Sequence, residues 1–95
     1  MSELNVTSDS LPPPVPVFNC IVYVGRREGK VRARVANLPG IEHSAADERA
    51  AIGGVVPEFK RQVGELTASG AAIPWIDPPL PPEPDEQTRL IPVHL

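Results

Sequence analysis

The 95-residue chain carries 12 acids against 9 bases, a net charge of −3, which allows one domain and argues against general nucleic-acid binding, where Lys and Arg neutralise phosphates. Its one cysteine, Cys20, excludes an internal disulfide and with it a stapled secreted scaffold. No stretch approaches the roughly 18 apolar residues of a membrane span, and no charged segment followed by an apolar run marks a signal peptide, so a cytoplasmic protein is expected.

Residues 1–14, MSELNVTSDSLPPP, are polar and then proline-rich. They read as a flexible tail with little apolar material to bury. Asn5-Val6-Thr7 is formally a glycosylation sequon, with nothing else to suggest secretion. The remaining domain, 15–95, is near the size at which one core is marginal. A homodimer that shares the core or the sheet edge is therefore expected, and the mild acidity suits a basic partner.

VFNCIVYV (Val17 to Val24) is rich in β-branched and aromatic residues and reads as a strand. Phe18, Cys20, Val22 and Val24 share the more apolar face and are expected in the core. Gly25 to Gly29 reads as a hairpin loop. Lys30 to Leu38 alternates strictly, with Val31, Ala33 and Val35 inward and Lys30, Arg32 and Arg34 outward. Pro39-Gly40 ends that strand, and Ile41 to His43 suggests a short third one.

Ser44 is the expected N-cap of a helix, with Asp47 and Glu48 in its first turn. Ile52, Val55, Val56, Phe59, Val63 and Leu66 recur at helical spacing, and Gly70 stands where a C′ residue belongs. Gly53-Gly54 and Pro57 lie inside the pattern. Pro57 removes a donor, and a kink is expected rather than two helices, eased by the missing Cβ of Gly53.

Ala72 to Gln87 holds six prolines and is expected to form an ordered surface crossover, with 77–87 its proline-rich part. Thr88 to Leu95 reads as a last strand. Pro92 can donate no ladder bond, so this strand is expected at a sheet edge or with that position on its free side. The expected fold is α+β: a three- to four-stranded antiparallel sheet covered on one face by a single helix, in the order β-β-(β)-α-β.

The hairpin, the Leu38-Pro39-Gly40 turn, an acid-led helix containing Glu48-Arg49-Ala50, and the helix exit Gly70 followed by Ile73-Pro74 together resemble the HicB-like antitoxin domain. Members of that family run through a Leu-Pro-Gly turn, a Gly-x-Thr helix start with Glu-Ala inside it, and a Gly-x-x-Ile-Pro exit. The resemblance spans roughly Val17 to Leu95. It implies a non-enzymatic domain that binds and neutralises a small basic, HicA-like, RNA-cleaving toxin. Asn37 stands where the family usually has an acid, Ala46 where it has the capping Thr, and the proline content of the crossover is unusually high. The sequence stops at Leu95 without the DNA-binding module often found in this class, so operator binding is not implied.

Cys20, His43, Ser44 and Asp47 are the residue types of a nucleophilic site, but Cys20 lies on the face expected to be buried, where a thiol behaves as a small hydrophobe. His43, His94 and Asp47 lack ligand spacing, so no metal or other cofactor is expected. Tyr23, Arg32 and Arg34 share the open sheet face and are candidate partner-binding residues. RNA stacking there is the alternative function, and a solvated face of Arg–Glu pairs the plainer one. Trp75 is either a lid on the core or an interface anchor. The runs Pro12-Pro13-Pro14 and Pro78-Pro79-Leu80-Pro81-Pro82 read as spacers before ligands for aromatic grooves.

Overall fold

The computed structural model describes residues 16–95. The expectations for residues 1–14, including the tail, the sequon and the first proline run, lie outside the described residues. Strands β1 (Val17–Arg27), β2 (Lys30–Val35), β3 (Glu42–Ala45) and β4 (Gln87–His94) form one antiparallel sheet in the order β3-β2-β1-β4, and helix α1 (Glu48–Ser69) covers one face. The chain has the α+β fold that its alternation and helical spacing predict.

Three boundaries differ from the sequence reading. The hairpin is tighter, because β1 continues to Arg27, which pairs with Lys30. Only Glu28 and Gly29 turn, at φ 55° and 80°, the two positive values of a primed turn that follows the twist of its strands. β2 stops at Val35 rather than Leu38 because Asn37 takes over beside β1. The Asn37 side chain accepts from the Ile21 amide at 3.1 Å and donates to the Asn19 carbonyl at 2.8 Å. This copies a peptide group with a side chain, and an acid at that position lacks the donor for the second bond.

Ser44 is not the helix cap, because β3 extends through it, opposite Arg32. Asp47 caps α1 instead: its backbone is extended (φ −142°, ψ 171°) and its carboxylate accepts from the Ala50 amide at 2.8 Å. The helix runs unbroken through Gly53, Gly54 and Pro57 to Gly70, which closes it at φ 74° with amide bonds back to its last turn.

The core lies between α1 and the sheet. Cys20, Val22, Val24, Val31, Ala33, Val35 and Val93 meet Ala51, Val55, Phe59 and Val63 from the helix, with Leu38 and Ile41 closing one side. Ile52 and Val56 pack at its border. Phe59 is the largest fully buried side chain.

The glycine pair is not a uniform weakness. Gly54 lies under the His43 ring of β3, and a Cβ there would sit 2.9 Å from the His43 Cβ and closer still to the ring. Around Gly53 a Cβ would meet nothing within 4 Å. Two adjacent substitutions should therefore act in opposite directions. Gly53→Ala should raise the free energy of unfolding by about 0.5–1 kcal/mol, the helix-propensity gain. Gly54→Ala should lower it by about 1–3 kcal/mol by forcing β3 away from the helix. Urea melts of the two variants, with His43→Ala added to rescue the second, check the sign and the cause.

Candidate interaction surface

With α1 on one face of the sheet, the other face carries Tyr23, Arg32, Arg34, Ile21, Glu42, Ser44 and Leu90, as strand alternation requires. This face is not open. The proline-rich segment 71–86 crosses it as a strap, held bond by bond. The Ile76 amide donates to the Asn37 carbonyl and the Leu80 amide to the Ala36 carbonyl, each at 3.0 Å. The Tyr23 hydroxyl donates to the Leu80 carbonyl at 2.7 Å, and the Arg34 Nη2 to the Pro81 carbonyl at 3.1 Å.

The far end of the strap is locked by charge. Arg34 grips Glu86 with two bonds, Nε to Oε2 at 2.7 Å and Nη2 to Oε1 at 2.6 Å. The Glu86 side chain is 2% exposed and that of Arg34 15%, so the pair is largely desolvated and its fork geometry matters. Glu86 also accepts from the Glu83 amide at 2.8 Å. The Arg34 guanidinium, whose side-chain bond to Glu86 is the main influence, holds that carboxyl below the usual carboxylate range. The same guanidinium lies 5.2 Å from the centre of the Tyr23 ring, a cation–π distance. Gly25 lets this end approach, since a Cβ there would lie 3.2 Å from the Glu86 Cγ.

The four candidate residues therefore fall into separate environments. Tyr23 is buried at 6% exposure. Arg34 is already paired. Arg32 reaches Glu42 at 3.3 Å and has its Nε buried without a partner among the described residues. Trp75 is on the strap away from the other three, stacked on Phe18 at 5.8 Å and tilted against Phe59 at 6.0 Å, with 38% of its surface exposed. It closes the end of the core, the lid role, while keeping one side in solvent. Sequence alternation found the face but missed its cover. The signal available was Glu86, the acid that ends the proline-rich segment.

A groove at the hairpin end is lined by Val24, Gly25, Arg26, Glu48, Asp85 and Gln87. Its charges are mixed: Arg26 stands with Glu48 and Asp85, and Glu48 is bound by Arg89 at 2.8 Å. Glu3 and Asp9 lie in the tail, leaving ten acids against nine bases in residues 16–95. The acid excess is thus not concentrated on the described surface, which carries little net field.

The residue types of a nucleophilic site are not brought together. His43 lies on Gly54, Ser44 points to the opposite face beside Arg32, and Asp47 is used as a cap. Cys20 is fully buried and its thiol is pushed up to about 12 by desolvation. The native thiol should accordingly resist iodoacetamide at pH 8, reacting about a hundredfold or more slowly than in urea. Comparable rates in the two conditions would show that the β1–helix seam opens readily. Among the described residues no three His, Cys, Asp or Glu side chains converge in metal-binding geometry, and no helix is long and apolar enough to cross a membrane.

No family model, curated protein or solved structure matches the chain.

Proposed function

We propose that this protein is a non-enzymatic interaction module of the antitoxin type, a homodimer in the cytoplasm that binds and neutralises a small basic, HicA-like, RNA-cleaving toxin. The observation that supports this reading is where the residues of the HicB-like resemblance lie. Leu38 is fully buried and Gly40 turns at φ 81°. Glu48 follows the capping Asp47, Gly70 closes the helix at φ 74°, and Ile73 packs against the core. The resemblance is thus carried by residues that shape the fold, at each corner where the chain changes direction. The basic character of the partner comes from the resemblance, since the folded surface is nearly neutral.

RNA binding through the sheet face is the second reading, favoured only by the presence of Tyr23, Arg32 and Arg34 on one face. It requires the strap to lift, because Tyr23 and Arg34 are engaged by Leu80 and Glu86. The antitoxin reading requires a gene for a short basic protein in the same transcription unit, and the discriminating experiment is co-expression with that protein. The antitoxin reading expects growth arrest by the toxin alone, relief by this protein and a complex on purification. Salt-sensitive RNA binding that is lost with Arg32→Ala plus Arg34→Ala, and no such complex, would favour the second reading instead.

A further inference from the structure

The two edges of the sheet are unlike. β3 is four residues long, carries Glu42 and His43 and is largely exposed, the short polar edge with which proteins discourage further pairing. β4 is twice that length, with the sequence QTRLIPVH. Its Leu90 is 68% exposed, more than any other large apolar side chain among the described residues. Its protective features are Pro92 and the charge of Arg89.

The direction of each backbone group on β4 follows from its pairing. The Leu95 amide donates inward to the Pro16 carbonyl, and backbone groups alternate sides along an antiparallel strand. Ile91 and Val93 therefore face β1, while Thr88, Leu90, Pro92 and His94 direct their amides and carbonyls at the free edge. Pro92 costs the β1 ladder nothing, because its missing donor is on the outside, as the sequence suggests.

We propose that β4 pairs antiparallel with β4 of a second copy of this chain, about a two-fold axis at Ile91, giving one continuous sheet across the dimer. The assignment rests on the homodimer proposed above and is independent of the identity of any toxin. The register is chosen by the strand itself. Centred on Ile91, Thr88 pairs with His94 of the second copy and Leu90 with Pro92, so the whole length from Thr88 to His94 is used. Every outward group finds a partner except the Leu90 carbonyl opposite the ring nitrogen of Pro92. Ile91 meets its own copy on the helix face, and the exposed Leu90 is covered by the Pro92 ring on the other. A register centred on Arg89 uses only Thr88 and Leu90 and sets Arg89 against itself, a like-charge pair that destabilises a sheet. Both helices then lie on one side of the joined sheet and both straps on the other, so neither obstructs the contact.

Pro92 is thus a weakening element within the interface, and its replacement gives a test in the favourable direction. Sedimentation equilibrium of the full chain should show a monomer–dimer equilibrium. Pro92→Ala supplies the donor to the Leu90 carbonyl of the second copy, twice per dimer, and should tighten association about tenfold. Leu90→Lys brings two like charges together near the axis and should weaken it about tenfold or more. Leu90 is exposed, so circular dichroism should show the variant folded, and the Pro92→Ala arm stands without it. A wild-type chain that stays monomeric even with Pro92→Ala would overturn the proposal. So would a dimer whose affinity neither variant changes, which would place the contact elsewhere. Loss of toxin neutralisation with an intact, Pro92-sensitive dimer would count against the antitoxin reading alone.

Discussion

Phe59→Ala should destabilise the protein by about 3–5 kcal/mol, the cost of deleting a buried aromatic ring and leaving a cavity. Phe59 is fully buried and its removal reaches beyond its own helix turn. Its ring lies 6.0 Å from that of Trp75, which in turn stacks on Phe18. The substitution therefore takes away the floor under the residue that starts the strap. A small domain has about 5–15 kcal/mol of stability to lose, so the variant should be partly unfolded at 37 °C. The chain contains one tryptophan, and its emission should shift to the red in the folded variant as water reaches the ring. Lys60→Ala, one residue away and exposed, should change stability by no more than about 0.5 kcal/mol. A loss below 1 kcal/mol for Phe59→Ala would show that the end of the core collapses around the deletion.

Arg34→Ala is the second large effect. It leaves the Glu86 carboxylate, 2% exposed, without its partner, and should cost about 3 kcal/mol, the low end for a buried pair because Arg34 touches solvent. The Tyr23–Leu80 bond should loosen with it, since both hold the same strap. Removing Glu86 as well should recover part of the loss, so that the double variant is less damaged than the two single losses added together. The pH dependence has a definite sign. Arg34 holds the Glu86 carboxyl below its ordinary value, so the folded state binds that proton less readily than the unfolded chain. The contribution is fully present above the ordinary carboxylate range, roughly pH 4–5, and is lost as pH falls through the lower folded value. Glu86→Gln should flatten the stability profile on the acid side and leave the slope near pH 7 unchanged. An equally steep acid limb in that variant would place the titration on other carboxylates.

The elements were legible because each obeys one period. Val31, Ala33 and Val35 against Arg32 and Arg34 give β2 and its two faces directly. The spacing of Val55, Phe59 and Val63 gives the buried stripe of the helix, and Pro92 gives the edge. The strap was harder because its placement is a consequence of topology. Just past the helix, Trp75 stacks on Phe18 at one end of β1, and β4 begins opposite Val24 towards the other. The chain must therefore travel the length of the sheet between them, and the helix already occupies one face. Local composition shows a proline-rich connector but not that Tyr23 and Arg34 lie beneath it.

The boundaries that moved did so for short-range reasons. Ser44 and Asp47 are both good caps, and the choice between them was made by β3, whose ladder holds Ser44 opposite Arg32. Asn37 reads as part of the second strand, whereas its side-chain amide extends the β1 pairing where β2 has ended. Gly54 reads as a flaw in a helix until the His43 ring is placed over it. In each case a tertiary neighbour set the role, and the residue type permitted more than one.

The claim that most needs testing is that this fold binds a small basic toxin. Isothermal titration of the purified full chain with a catalytically inactive form of any short basic protein encoded in the same transcription unit measures that directly. The antitoxin reading predicts a saturable complex with one toxin per protomer and a dissociation constant below about a micromolar. No heat and no complex at concentrations well above that value would contradict it, leaving the α+β fold and its strapped sheet to be explained by another partner.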